Sequence, residues 1–296
     1  MAKSQLMEYV LNDIETQKGV AIPVHASLLE RLIVTKASCK NIHPNPEDEF
    51  SIEKVGPSYR IISEYEAKFR DAQRMDRSPI DDPLMVEKLR PHGYLLLNGH
   101  HRWAAAMRCN IKKVPIKIIN CATESDIKTI LERSQHDKRA TIDLDEVIFR
   151  SSDYPYLEKK AFTFPFSIRF KQRIRLGIPA LLYNLSKKGY DIWVYARDFY
   201  SIDDIQKFFK AYSVHVDGIL TGVDKHTQNK SERAARLREL INNKYATTLH
   251  IDNNAIVETH GKTGEFEEYL INVPEEDWSK KAIAIIEEIE KRAGSK

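Results

Sequence analysis

The chain of 296 residues, 42% hydrophobic and 30% charged, can bury a full core and is longer than most single domains, so two domains are expected. Lys and Arg total 46 against 43 Asp and Glu, for a net charge of +3, too balanced for the electrostatic footprint of a dedicated nucleic-acid binder, although nucleic acid is neither required nor excluded. The cysteines Cys39, Cys109 and Cys121 are odd in number and lack CxxC spacing, no apolar run approaches the roughly 18–20 residues of a membrane span, and the opening MAKSQLMEYVLNDIE mixes acids into its apolar positions, so a soluble, cytoplasmic chain with reduced thiols and no membrane partner is expected.

In chain order, residues 1–70 read as irregular apart from an N-terminal helix and a short apolar strand at Val20–Val24. The segment HPNPEDEF at 43–50 reads as a loop, because its prolines oppose regular structure. DPLMVEKL and YLLLN are strand candidates separated by the Pro/Gly turn RPHG, and the second leads into a helix from about Gly99 to Cys109. VPIKIIN at 114–120 reads as a further strand, followed by a helix capped at Thr123 or Ser125. The charged stretch ERSQHDKRA then places a domain boundary near residue 138. Beyond it, strands at 140–148, 190–196, 214–220, 246–252 and 268–273 alternate with helical patterns, which predicts a parallel, helix-covered sheet with ligands gathered outside the carboxyl ends of its strands. Trp103, Trp193 and Trp278 are expected in the core.

Two sites stand out. In GYLLLNGHHRW a strand meets Asn98, Gly99, His100, His101 and Arg102 at the start of a helix. Free backbone N–H groups and a positive dipole end attract anions there, and glycine lets a phosphate approach the backbone. Cations in a first helical turn oppose the dipole unless an anion compensates them. Adjacent histidines point to different sides of a helix, so a phosphate grip fits better than a metal pair, and a merely solvated turn is the plainer alternative.

The stretch NGHHRWAAAMRCNIKKVPIKII resembles the core of the ParB/sulfiredoxin superfamily: a glycine, a short basic motif, an alanine-rich helix and a Val-Pro strand, with likeness over roughly residues 20–120. The resemblance implies that the basic motif holds nucleotide phosphates. His100 stands where sulfiredoxins carry their reactive cysteine, and the chain continues into an α/β pattern where partition proteins add a helix-turn-helix. The branch that phosphorylates free serine with ATP or ADP is the remaining resemblance. It implies Mg²⁺ and a glutamate base in the loops before the basic motif, for which Glu47 and Glu49, flanking Asp48, are candidates. A solvated acidic turn is the competing reading of those three acids.

The second site is IDLDEVIF, where Asp143 and Asp145 lie two apart at the end of an apolar strand and share one side of it. Two converging acids repel, a cost that Mg²⁺ offsets. The pattern resembles motif one of the haloacid dehalogenase superfamily, with likeness over 139–275. The resemblance implies Asp143 as a nucleophile that forms an aspartyl phosphate and Asp145 as the acid/base. It further implies Lys225 or Lys230 as the phosphate-neutralising cation and Asp252 in LHIDNN as a Mg²⁺ ligand alongside Asp143 and Asp145. Ala196 stands where the family has a Ser or Thr donor to phosphate, and Asn253 where a second acid is common. An acid pair capping the next segment is the structural alternative for Asp143 and Asp145, and His250 with Asp252 is a weaker metal candidate. Residues 150–172, rich in aromatics and cations, read as a lid or as a surface loop packed by its own rings.

The expectation is therefore an α/β protein with a ParB/sulfiredoxin-like α+β nucleotide-binding domain at 1–138 and a Rossmann-like haloacid-dehalogenase domain with a parallel sheet at 139–296. Its expected work is Mg²⁺-dependent phosphoryl transfer between ATP or ADP and a small hydroxyl- or phosphate-bearing metabolite. The rival expectation is a non-catalytic nucleotide-sensing or nucleic-acid-associated binding protein.

Overall fold

A computed structural model describes residues 3–162, 172–223, 232–261 and 263–294. The chain divides into two compact units, the first gathering Met1–Cys121 and the second beginning at Ala122. Both are mixed α/β structures. No described helix is long and apolar enough to cross a membrane.

The first unit holds strands β1 (Ile22–Val24), β2 (Thr35–Ser38), β3 (Ile42–Pro44), β4 (Leu84–Arg90), β5 (Tyr94–Asn98) and β6 (Lys113–Ile118), and helices α1 (Lys3–Gln17), α2 (Leu28–Leu32), α3 (Tyr59–Arg74) and α4 (His100–Arg108). Its sheet runs β2-β6-β4-β5-β3, with β1 paired to the far end of β4. The segment before residue 70 is more ordered than its sequence suggests. Ile42–Pro44 forms a strand parallel to β5 at the sheet edge, where a terminal proline removes no needed ladder donor. The 16 residues of α3 likewise form a helix, set by tertiary packing of Ile62, Glu66 and Phe69. The core gathers Leu84, Val86 and Leu96 from the sheet with Trp103, Ala104, Ala105 and Ala106 from α4. Alanines allow that helix to approach closely, and the buried Trp103 donates its indole N–H to the Cys39 carbonyl at 3.0 Å.

The second unit opens with α5 (Glu124–Arg133), capped by a reciprocal Thr123–Asp126 box. It continues with β7 (Lys138–Asp143), the short antiparallel ribbon β8 (Phe149–Arg150) and β9 (Arg173–Ile174), α6 (Ile178–Lys187), β10 (Tyr190–Ala196), α7 (Ile202–Ala211), β11 (Gly218–Thr221), α8 (Glu232–Lys244), β12 (Thr247–Ile251), β13 (Ala255–His260), β14 (Phe266–Leu270) and α9 (Trp278–Ala293). The main sheet runs β11-β10-β7-β12-β13-β14. Its first four strands are parallel, but β13 and β14 are antiparallel, so the sheet is mixed rather than wholly parallel. The hairpin arises because Asp252 and Asn253 turn the chain straight back onto β12, with the Asp252 N–H donating to the Ala255 carbonyl at 2.9 Å, and no crossover helix intervenes. The strand expected at 140–148 ends at Asp143, where a π-type turn over Leu144–Ile148 takes over. Strand β10 shows the sheet's alternation: Ile192 and Val194 join the core under α6, α7 and α9, while Trp193 faces Ile127, Leu237 and Ile241 from α5 and α8. Trp278 is also buried, so all three tryptophans are core residues.

Candidate functional site

In the first unit Gly99 ends the strand and begins the helix. Its φ of 101° is left-handed, and a Cβ placed there would stand 2.6 Å from Leu84 Cδ2, so only glycine joins β5 to α4 in this way. Past that turn the two histidines diverge. His100 is 4% exposed, and its Nε2 accepts the Asn45 N–H at 3.3 Å. His101 Nε2 accepts the Ser58 N–H at 3.1 Å, just before α3. Phe50 packs against both, with ring centroids 5.5 and 5.2 Å away. An acceptor nitrogen must be unprotonated, and burial depresses the pKa of both rings, that of His100 to about 4 despite the opposing pull of Asp48. Arg102 binds the carboxylate of Asp82 and, at 2.6 Å, its carbonyl, and reaches Asn98 Oδ1 at 3.4 Å.

The acidic loop is folded on itself. Asn45 Oδ1 accepts the Glu47 N–H at 3.0 Å, and Asp48 caps the short 3-10 turn at Glu49–Ser51 by accepting the Phe50 N–H at 2.9 Å. Through Asn45 and Phe50 this loop, carrying the half-buried Glu47 and the exposed Glu49, is fastened to the histidine turn. Asp48 itself lies 3.4 Å from His100 Nδ1.

In the second unit three neighbouring parallel strands end together. Tyr195 pairs with Asp143 and Ile251 with Ile142, which sets Asp143, Ala196 and Asp252 at adjacent positions along one sheet edge. Asp143 is 8% exposed, and its Oδ1 accepts the Glu146 N–H at 2.7 Å. Burial, with the charges of Asp145 and Glu146, raises its pKa against those backbone donors. Asp145 is held apart from it: Oδ2 accepts the N–H groups of Arg197 at 2.9 Å and Asp198 at 3.2 Å, and Oδ1 accepts the Tyr200 hydroxyl at 2.8 Å. His250 lies between the hydroxyls of Thr141 and Thr259, at 2.9 and 3.2 Å. Lys225 and Lys230 lie outside the described residues, as does the middle of the 150–172 insert, whose ends form the β8–β9 ribbon.

Asn253 knots the edge together. Its Oδ1 accepts from Arg150 at 2.8 Å and from Arg175 at 3.0 Å, and its Nδ2 donates to the Glu146 carbonyl at 3.0 Å. An aspartate could not make that last bond, which gives a physical reason for an amide here. Arg175 is buried, lies 3.8 Å from the Trp278 ring centroid and pairs with Glu275. No sequence signal marks Arg150, Arg175 or Tyr200 as belonging to this edge, since their partners lie up to a hundred residues away.

Among the described residues no three His, Cys, Asp or Glu side chains are grouped to hold a metal ion. Mg²⁺ is commonly held by one or two carboxylates with waters completing its shell, which the buried Asp143 and the neighbouring Asp252 could supply.

Compared with known families, residues 36–134 match the ParB N-terminal domain, so such a domain is found in this chain. The match takes in the sheet from β2 to β6, the GHHR turn and helix α5. No curated protein matches the chain significantly.

Proposed function

We propose that the protein carries out Mg²⁺-dependent phosphoryl transfer, with the GHHR turn of the ParB-like domain holding the phosphates of ATP or ADP and the second unit working as a haloacid-dehalogenase-like phosphohydrolase domain. The observation that carries the second half is the register that sets Asp143, Ala196 and Asp252 at the carboxyl ends of three adjacent parallel strands, where open α/β sheets bind their ligands. In this reading Asp143 attacks phosphorus as the leaving oxygen departs, Asp145 moves the proton, and Asp252 helps hold the cation. Bound Mg²⁺ would neutralise phosphate oxygens and favour the ionised form of the buried Asp143. In the first unit Arg102 would exchange Asp82 for a phosphate, and Glu47 or Glu49 would take the hydroxyl proton from a small, serine-like acceptor.

The test is turnover. Full-length protein with Mg²⁺ and ATP or ADP over an amino-acid panel should consume nucleotide, and Arg102→Ala should weaken nucleotide binding severely by calorimetry. Unchanged affinity in folded Arg102→Ala removes the phosphate grip. Parent rates in both Glu47→Gln and Glu49→Gln would place the base elsewhere. A second reading, a nucleotide-sensing or nucleic-acid-associated module without turnover, is favoured by one observation: both histidines accept backbone N–H groups and Arg102 pairs with Asp82, so the turn is satisfied without a ligand. Nucleotide binding without consumption, or a salt-dependent gel shift, would select it.

A further inference from the structure

The loop after β10 presents three converging donors: the N–H groups of Arg197 and Asp198 and the hydroxyl of Tyr200, all directed at the carboxylate of Asp145. Successive backbone N–H groups of this kind form a concavity suited to oxyanions. The strand beside it holds the loop in shape. The Thr221 hydroxyl donates to the Tyr200 carbonyl at 2.8 Å, the Gly222 N–H to Asp198 at 3.2 Å and the Val223 N–H to Ala196 at 3.0 Å. Gly222, at φ 71°, is required, because a Cβ there would meet the Phe199 ring at 2.1 Å. The Tyr200 ring packs edge-on against Phe149, with centroids 5.7 Å apart. Burial and the neighbouring Asp145 push the Tyr200 pKa far up, so its hydroxyl stays a donor throughout the physiological range. Ala196, at the head of the loop, offers no side-chain donor.

We propose that this loop is an oxyanion nest in which Tyr200 supplies the hydroxyl that position 196 lacks, and that Asp145 is its resting occupant, displaced when the phosphoryl group of a ligand enters. The inference rests on reading the second unit as a phosphate-handling domain. It couples ligand entry to acid/base chemistry: a carboxylate accepting three hydrogen bonds inside the nest is poorly placed to pass a proton, whereas a displaced one, beside Asp143 in sequence and at the same edge, is free to do so. The negative charges of Asp198 and Glu146 near the nest oppose an incoming anion, so the ligand is expected to enter as its Mg²⁺ complex.

The experiment is calorimetric titration of inorganic phosphate, with Mg²⁺, into the full-length parent, Asp145→Ala and the double variant Asp145→Ala/Tyr200→Phe, with folding checked by thermal melts. Emptying the nest should tighten phosphate binding about tenfold or more, and removing the Tyr200 hydroxyl should return most of that gain. If Asp145→Ala does not fold, Asp145→Asn, which keeps the shape and removes the charge, should still bind phosphate more tightly than the parent. Equal affinity in the parent and a folded Asp145 variant, or a double variant that binds as tightly as the single one, would overturn the nest. Binding is read without turnover, so failure of the hydrolase reading leaves this result intact. Aryl-phosphate hydrolysis with no change in phosphate affinity would remove the nest alone.

Discussion

The turn after β5 and the turn after β7 look alike as sequences, since each sends a strand end into residues of catalytic type, yet they satisfy those residues in opposite ways. At Gly99–Arg102 the side chains accept from or pair with the protein itself, and the acidic loop is fastened to them. At Asp143–Glu146 the backbone donates to the side chains, leaving one buried carboxylate whose charge is disfavoured and another held by three donors. Buried neutral imidazoles need no ligand, whereas crowded carboxylates gain from a cation. The comparison teaches that residue type at a strand end does not reveal whether a site waits for a ligand; the accounting of donors and acceptors does.

Exchange of the nucleophile should sharpen the contrast most. Asp143→Asn should lower Mg²⁺-dependent release of phosphate from an aryl phosphate by more than about a thousandfold. Activity that survives it would return the second edge to the same structural status as the first.

Next in size is Arg175→Ala, which leaves Asn253 and Glu275 without their guanidinium and bares the Trp278 face; thermal or denaturant melts should show a loss of about 3 kcal/mol. The corresponding change in the first unit is Gly99→Ala, expected to cost about 2–3 kcal/mol from its positive φ and the clash with Leu84. A neutral result there would mean that β5 and α4 can join by another route.

Acid separates the two turns by sign. The folded-state pKa of His100 lies near 4, below the unfolded value of about 6.5, so its stabilisation is complete above about pH 6.5 and is lost as pH falls toward 4. His101 shifts the same way. Asp143 shifts upward, so its contribution is present at low pH and lost as pH rises. Between pH 7 and 5, His100 alone should cost the first unit about 2 kcal/mol. Hydrogen exchange should show Asn45 and Ser58 losing protection before the Glu146 amide does. The reverse order would mean that the histidines are not the acceptors.

Ala196→Thr should have the smallest effect, a gain of a few-fold in phosphate release if the buried site admits the branched side chain. No gain would agree with Tyr200 already filling that role.

Much of the frame was legible in the chain. Gly99 announced the turn into α4, because a glycine between an apolar strand and an alanine-rich helix has few other uses, and the strands at 190–196 and 246–252 fall where their patterns place them. The hairpin β13–β14 was not legible, since ETHGKTGEFEEYL carries too many polar residues to read as a strand pair, and its ladder is built on β12 rather than on its own hydrophobic pattern. Pro44 in β3 was hidden for the complementary reason, that an edge strand tolerates a proline which an isolated pattern forbids.

What sequence alone decided is local: which residues sit at strand ends, where glycine is required, and which faces are apolar, because these follow from periodicity and backbone sterics within a few residues. What only tertiary structure decided is partnership. Asp145 with Tyr200, Asn253 with Arg150 and Arg175, and the two histidines with Asn45 and Ser58 are hydrogen bonds between residues 43 to 103 positions apart. Such bonds depend on distances of about 3 Å, which a chain reaches only after its strands have taken their order and register.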